Sequence, residues 1–181
     1  MLLWYVLYTL ALVLFSFLVF RVVVRRDYRK RGRLGLVSTT LETLIWLPFF
    51  TFPYIFKLPA RSDFWKLDSI GSVLIVIGIV SVIVIMGSLG FSRSFGQQVN
   101  TLRSRGPYKV TRNPQIITGS LIVFGTVLCW PSWYGLGWIL LYGVMAHVMV
   151  ITEEEHLRDV FGEGYLEYCR QVPRYLRLKN R

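Results

Sequence analysis

The chain has 181 residues, of which 54% are hydrophobic, and its 21 Lys and Arg against 10 Asp and Glu give a formal net charge of +11. A soluble domain this rich in apolar residues would aggregate, and the basic residues fall between long apolar runs rather than along one face, which excludes a nucleic-acid-binding reading. The length is that of one domain, and the two cysteines, Cys129 and Cys169, make no disulfide framework and read as free thiols.

Taken in chain order, the apolar runs predict an all-α integral membrane protein with about five transmembrane helices. Leu2 to Phe20 is long enough to span at 1.5 Å per residue. A signal peptide is excluded because the basic cluster follows the run and no small-residue cleavage site appears. Leu34 to Phe56 carries Glu42, Pro48 and Pro53, and its prolines should kink it inside a bundle. Ile70 to Leu89 is the cleanest span, with Gly71, Gly78 and Gly87 expected at close helix contacts. Ile116 to Trp130 and Tyr134 to Ile151 are joined by Trp130-Pro131-Ser132-Trp133, a tight turn with interfacial indoles, and so read as an antiparallel hairpin.

Lys and Arg counts orient these spans. Residues 21–33, 93–112 and 158–181 hold 18 of the 21 basic side chains, and the positive-inside bias assigns them to the cytoplasm. The amino terminus is then outside, while the third-to-fourth loop and the whole tail are inside.

Two cytoplasmic segments carry the polar chemistry. The first runs through Leu89-Gly90-Phe91-Ser92-Arg93 to Gly106-Pro107-Tyr108-Lys109-Val110-Thr111-Arg112-Asn113-Pro114. Asn113-Pro114 before an apolar run is a helix start, with Asn as N-cap and Pro at the first helical position. That end serves either as a plain cap or as a place where an anionic group binds the exposed N–H groups. The second segment is Glu153-Glu154-Glu155-His156-Leu157, continuing to Val160-Phe161-Gly162-Glu163-Gly164-Tyr165-Leu166-Glu167-Tyr168. Three carboxylates at a helix carboxyl end oppose its dipole; they are either a solvated run or a holder for an ammonium. Beyond them, apolar residues at helical spacing around Gly162–Gly164 predict two short amphipathic helices on the membrane surface, closed by Pro173. A ligand with an ammonium, a carboxylate and a planar ring system suits both segments; S-adenosylmethionine is one, and other zwitterions are equally admitted.

The stretch Gly106-Pro107-Tyr108 … Arg112-Asn113-Pro114, a two-helix hairpin, and Glu153-Glu154-x-x-Leu157-x-x-x-Phe161-Gly162-x-x-Tyr165-x-x-Tyr168 … Val172-Pro173 resembles the isoprenylcysteine carboxyl methyltransferase family, with the related phospholipid methyltransferases. The likeness covers residues 86–176 of a single membrane domain, 1–181, in which residues 1–85 supply the first spans. It implies an S-adenosylmethionine-dependent enzyme with a cytoplasmic cofactor pocket lined by Gly106, Tyr108, Arg112, Asn113, Pro114, Glu153 and Glu154. It also implies a lipidic methyl acceptor, a prenylcysteine carboxylate first and a phospholipid amine or small thiol as alternatives. A carboxylate acceptor would need a cation, for which Arg112, Arg93 and Arg103 are the candidates, each with a plain alternative as a positive-inside or headgroup-binding residue that suits Arg103 best. The family usually reads Arg-His-Pro-x-Tyr; here Asn113 replaces His and Ile116 replaces Tyr, so no titrating imidazole stands at that position.

Methyl transfer from a sulfonium requires no metal, and an already anionic acceptor requires no base. His156 beside the glutamates lacks the spacing of a metal site. Glu42, two turns into its span, is expected to pair with an arginine or to snorkel, and His147 to lie in the core of the last span. A transporter or assembly protein and a sterol-type membrane reductase are the rival classes. The membrane is a prokaryotic plasma membrane or the endoplasmic reticulum.

Overall fold

A computed structural model describes residues 2–56, 65–89, 102 and 104–176. All regular structure in them is helical. Helix α1 (Leu2–Leu18) passes through a π-helical turn, Val19–Val24, into α2 (Arg25–Arg31) without interruption. Next come α3 (Leu36–Ile55), α4 (Trp65–Leu89), a 3-10 turn (Gly106–Lys109), α5 (Pro114–Cys129), α6 (Trp133–Phe161) and α7 (Glu163–Gln171).

Three of these rods are long and apolar enough to cross a membrane: Leu2–Arg31, Lys66–Ser88 and Trp133–Phe161. Pro114–Cys129 is a shorter apolar helix. The protein is therefore a multi-pass membrane protein. The second expected span, α3, is not among the three: its Ser and Thr residues, Glu42, Pro48 and Pro53 dilute its 20 residues. One face of it is interior, with Ile45, Phe49 and Phe52 fully buried against α1 and α6, while Leu36, Val37, Leu47 and Tyr54 on the other are exposed. The outer faces of α1 and α4 likewise expose Leu3, Leu7, Leu14, Val76, Val80 and Ile83. Such apolar surface on a monomer requires a non-aqueous surrounding.

The chain runs alternately between two ends. Gly32, at φ 65°, stops α2 by donating its N–H to the Tyr28 carbonyl at 3.0 Å. Asp27 then clasps the start of α3 by accepting from the Gly35 N–H at 2.9 Å and the Ser38 hydroxyl at 2.6 Å. At the opposite end Ser132 caps α6 through the Gly135 N–H, 3.1 Å away, closing the expected hairpin.

Antiparallel α4 and α5 make the most extensive helix contact, and small residues permit it. A Cβ added to Gly71 would fall 2.6 Å from the Gly125 carbonyl oxygen, and one added to Gly78 would fall 2.5 Å from Ile122 Cγ1. Gly87 departs from expectation, since nothing among the described residues lies within 4 Å of its place for a Cβ.

The tail also differs from expectation. The first amphipathic helix is no separate element: α6 continues two more turns past Ile151 to Phe161. The break comes at Gly162, φ 51°, and α7 follows at once. The apolar face of α7 covers the protein rather than lying free on the membrane: Tyr165, Tyr168 and Val172 are buried against Leu102, Leu157 and Phe161. Both cysteines are free, as expected, with Cys129 buried.

Candidate functional site

Successive residues of an α-helix point about 100° apart, so the four residues 153–156 fan out around α6. Each meets a different neighbour. Glu154, 3% exposed, accepts from Arg174 through both oxygens, Nε to Oε1 at 3.1 Å and Nη2 to Oε2 at 2.8 Å. Arg112 Nη2 stands 3.3 Å from the same carboxylate, and Arg158 Nη2 stands 3.9 Å away. Glu155 turns to the first rod, pairing with Arg21 at 2.9 Å and Arg25 at 3.2 Å. His156 stacks on Tyr28 with ring centroids 4.0 Å apart and planes 8° from parallel. Glu153 faces α3, where its charge and that of Glu42 repel.

This fan corrects two expectations and bears on a third. The glutamates do not project into water from a helix end, because α6 extends beyond them and Glu154 is buried. They do not oppose the dipole in a common cluster, because each has its own surroundings. Glu42, half-buried on α3, has the Glu153 carboxylate as a charged neighbour, a like charge where the sequence led one to expect an arginine.

Residues 111–113 lie alongside the strap that follows α7. The Arg112 N–H donates to the Pro173 carbonyl at 2.9 Å. The Thr111 hydroxyl and Asn113 Nδ2 donate to the Arg174 carbonyl at 3.1 and 3.0 Å. Asn113 occupies the N-cap position and its carbonyl receives the first helical bonds, yet its side chain makes no cap bond. Its amide is spent on the strap instead. Pro114 is buried at the first helical position. The Arg112 guanidinium also contacts the Cys169 sulfur, and its Nε is buried without a hydrogen-bond partner.

The structure thus brings Arg112, Asn113 and Glu154 together. Tyr108 is buried nearby, its carbonyl accepting the Tyr168 hydroxyl at 2.7 Å. Gly106 is exposed at φ 58°, a left-handed conformation that opens the 3-10 turn. Arg93 and Arg103 lie outside the described residues. His147 corrects its expected place: it is exposed, its Nδ1 3.1 Å from the Tyr175 hydroxyl, beside an apolar groove of about 640 Å³ between α5 and α6.

Sequence reasoning missed Arg174, Arg158, Arg21 and Thr111. The arginines were counted as part of a positive-inside bias, and nothing local distinguished one from another. The nearest signal was Val172-Pro173, which marks where the chain leaves α7 and so where Arg174 is delivered. The π turn carrying Arg21 had none, although such turns concentrate at functional sites.

All three basic segments therefore converge at one end of the bundle, through Arg21 and Arg25, through Arg112, and through Arg158 and Arg174. Neither the curated proteins nor the solved structures hold a match to the chain. A model of the family described as phospholipid methyltransferase matches residues 67–164, more than half of the chain, from α4 through the glutamate fan to the start of α7. The chain belongs to the phospholipid methyltransferase family, membrane enzymes that use S-adenosylmethionine as methyl donor.

Proposed function

We propose that this enzyme methylates the amine headgroup of a membrane phospholipid, from the end of a five-span bundle where its basic segments meet, and that this end faces the cytoplasm. The observation that carries the choice of acceptor is the engagement of Arg112. A prenylcysteine carboxylate, the acceptor expected first from the sequence, needs an open guanidinium. Arg112 is instead held by Glu154, 3.3 Å away, and by the Cys169 sulfur, and the donor it has left, Nε, is kept for the cofactor's own carboxylate, so none remains for a second one. A phospholipid amine makes no such demand.

The donor set suits S-adenosylmethionine. The buried Arg112 Nε is a donor with no partner, a state that costs about 1–3 kcal/mol unless an acceptor arrives. A ligand carboxylate would supply that acceptor. Glu153 and Glu154 would take its ammonium or ribose side, and Gly106, Tyr108, Asn113 and Pro114 would form the opposite wall. When bound, the cofactor supplies an electrophilic methyl group on a sulfonium. For Glu154 to meet an ammonium, the Arg174 guanidinium must yield part of the carboxylate it now holds.

An amine acceptor changes the demand on the protein. An ammonium has no lone pair, so one proton must leave before the nitrogen can attack. The carboxylates of Glu155 and Asp159, one turn apart on α6, are assigned to receive it. The remaining work is positioning of acceptor and methyl, and exclusion of water.

The test is incubation of the purified protein in nanodiscs with labelled S-adenosylmethionine and a panel of acceptors: a phospholipid amine, a prenylcysteine and a small thiol. Label on the phospholipid nitrogen is expected. Base-labile label on the prenylcysteine with none on the phospholipid would restore the carboxyl reading. Orientation is tested by single cysteines at Ser104 and Ser132 in a background lacking Cys129 and Cys169: an impermeant thiol reagent outside intact cells should reach the second and spare the first.

A further inference from the structure

We propose that a cavity of about 540 Å³ between α2 and the last turns of α6 is the headgroup site, binding a phosphate and an amine together. The inference rests on the phospholipid-amine reading above and adds a location that the glutamate–arginine cluster does not provide.

The cavity is lined by Arg25, Arg29 and Arg158, by Glu155 and Asp159, and by the stacked pair Tyr28 and His156. Three guanidiniums suit a phosphodiester, which guanidinium forks bind through paired donors. Two carboxylates suit the ammonium that lies two carbons from it. Glu155 already pairs with Arg25 at 3.2 Å, and Arg158 stands 3.9 Å from Glu154, so a zwitterion would enter by exchanging these pairs, its phosphate taking the arginines and its ammonium Glu155 and Asp159. The aromatic lining accommodates N-methyl groups, which an all-ionic lining would not, and aromatic faces attract methylated ammoniums. One more feature points to a ligand: His156 is 6% exposed, and its Nε2 is buried with no hydrogen-bond partner among the described residues.

The depth is also right. The unbroken apolar run of the first rod ends at Phe20, and basic residues follow from Arg21 and crowd from Arg25 to Arg33, which is where a membrane-spanning helix meets phosphate groups. Arg158 lines the cavity and reaches the Glu154 carboxylate at 3.9 Å, so the cavity adjoins the cofactor cluster without sharing its centre.

Binding, not turnover, tests the site, so that its failure is separable from failure of the phospholipid-amine reading. Calorimetry on the full chain in nanodiscs would measure glycerophosphoethanolamine and inorganic phosphate in the absence of cofactor. Saturable binding of the first and weaker binding of the second is expected. Arg29→Gln, at an exposed side chain, should weaken it about tenfold or more, the scale of one charge-assisted hydrogen bond. Arg158→Gln should act in the same direction, and S-adenosylmethionine affinity in Arg29→Gln should be unchanged. Equal affinity for both probes would reduce the cavity to a phosphate site and overturn the proposal. So would unchanged binding in both variants. If the binding results hold but no phospholipid is methylated, the cavity stands and the assigned acceptor falls.

Discussion

At the end of the bundle away from the arginines, Tyr5, Tyr8, Phe52 and Phe56 surround Trp138 with ring centroids 5.1 to 6.4 Å away. The Tyr5 hydroxyl donates to the Tyr134 carbonyl at 3.0 Å. At the other end the same helices are tied by guanidinium–carboxylate contacts centred on Glu154 and Glu155. Both ends hold the rods in register, but by different means. Aromatic packing is lost when shape is lost, and it offers a small polar molecule nothing to bind. Ion pairs hold through groups that a zwitterionic cofactor can also use, so stability and ligand binding draw on the same atoms there. The arginine end should therefore respond to ligand, and the aromatic end should not.

The largest effect is expected at the aromatic end. Trp138 is fully buried, and Trp138→Ala should cost about 3–5 kcal/mol of stability, the range for removing a buried indole. Cofactor affinity of the molecules that remain folded should be unchanged, as measured by calorimetry beside thermal unfolding in the same micelles. A large affinity loss with intact stability would join the two ends functionally and break the contrast.

The asymmetry also explains what could be read in advance. Three of the five spans, the hairpin and its capping turn were legible because hydropathy, Pro and Gly act locally, as in Leu2–Phe20, Gly71 and Trp130–Trp133. The family resemblance was legible because spacing in Gly106–Pro114 and Glu153–Tyr168 survives in one dimension. What Glu154 faces was not legible. Its partner Arg174 lies 20 residues on, past a glycine break and a second helix, and its other partner Arg112 lies before the hairpin. A run of three glutamates says nothing about direction until the helix is known to continue through it. Once α6 reaches Phe161, rotation alone sends the three side chains to three neighbours.

Glu154 gives the intermediate effect, and it sharpens the comparison by moving two observables at once. Glu154→Gln should lower stability by about 1.5–3 kcal/mol, the scale of a charged hydrogen bond, because Arg112 and Arg174 lose their shared counter-charge. S-adenosylmethionine affinity should fall in the same variant. Added cofactor should then raise the melting temperature less than it does in the wild type. If Glu154→Gln left both stability and affinity unchanged, the carboxylate would be neither a structural hub nor part of the pocket.

The smallest effect separates two roles for one side chain. From sequence, Asn113 is a helix cap, and Asn113→Ala should cost about 1 kcal/mol as a lost cap. In the structure its amide makes no cap bond and donates to the Arg174 carbonyl at 3.0 Å; losing that bond costs about the same. Alanine therefore cannot tell the two apart, but aspartate can. Asp caps as well as Asn, so a capping role predicts that Asn113→Asp keeps wild-type stability. An ionised Asp has no donor for a carbonyl, so the strap role predicts that Asn113→Asp loses at least as much as Asn113→Ala. Thermal unfolding of the three proteins decides between them. A second readout is proteolysis after Arg174, which should quicken in both variants if Asn113 holds the strap. The strap carries the guanidinium that occupies Glu154, so loosening it should also free that carboxylate. Because Asn113 also walls the cofactor pocket, both variants should bind cofactor more weakly, with the freed Glu154 carboxylate offsetting part of the loss, a coupling of stability and affinity that no truncation at Trp138 should reproduce.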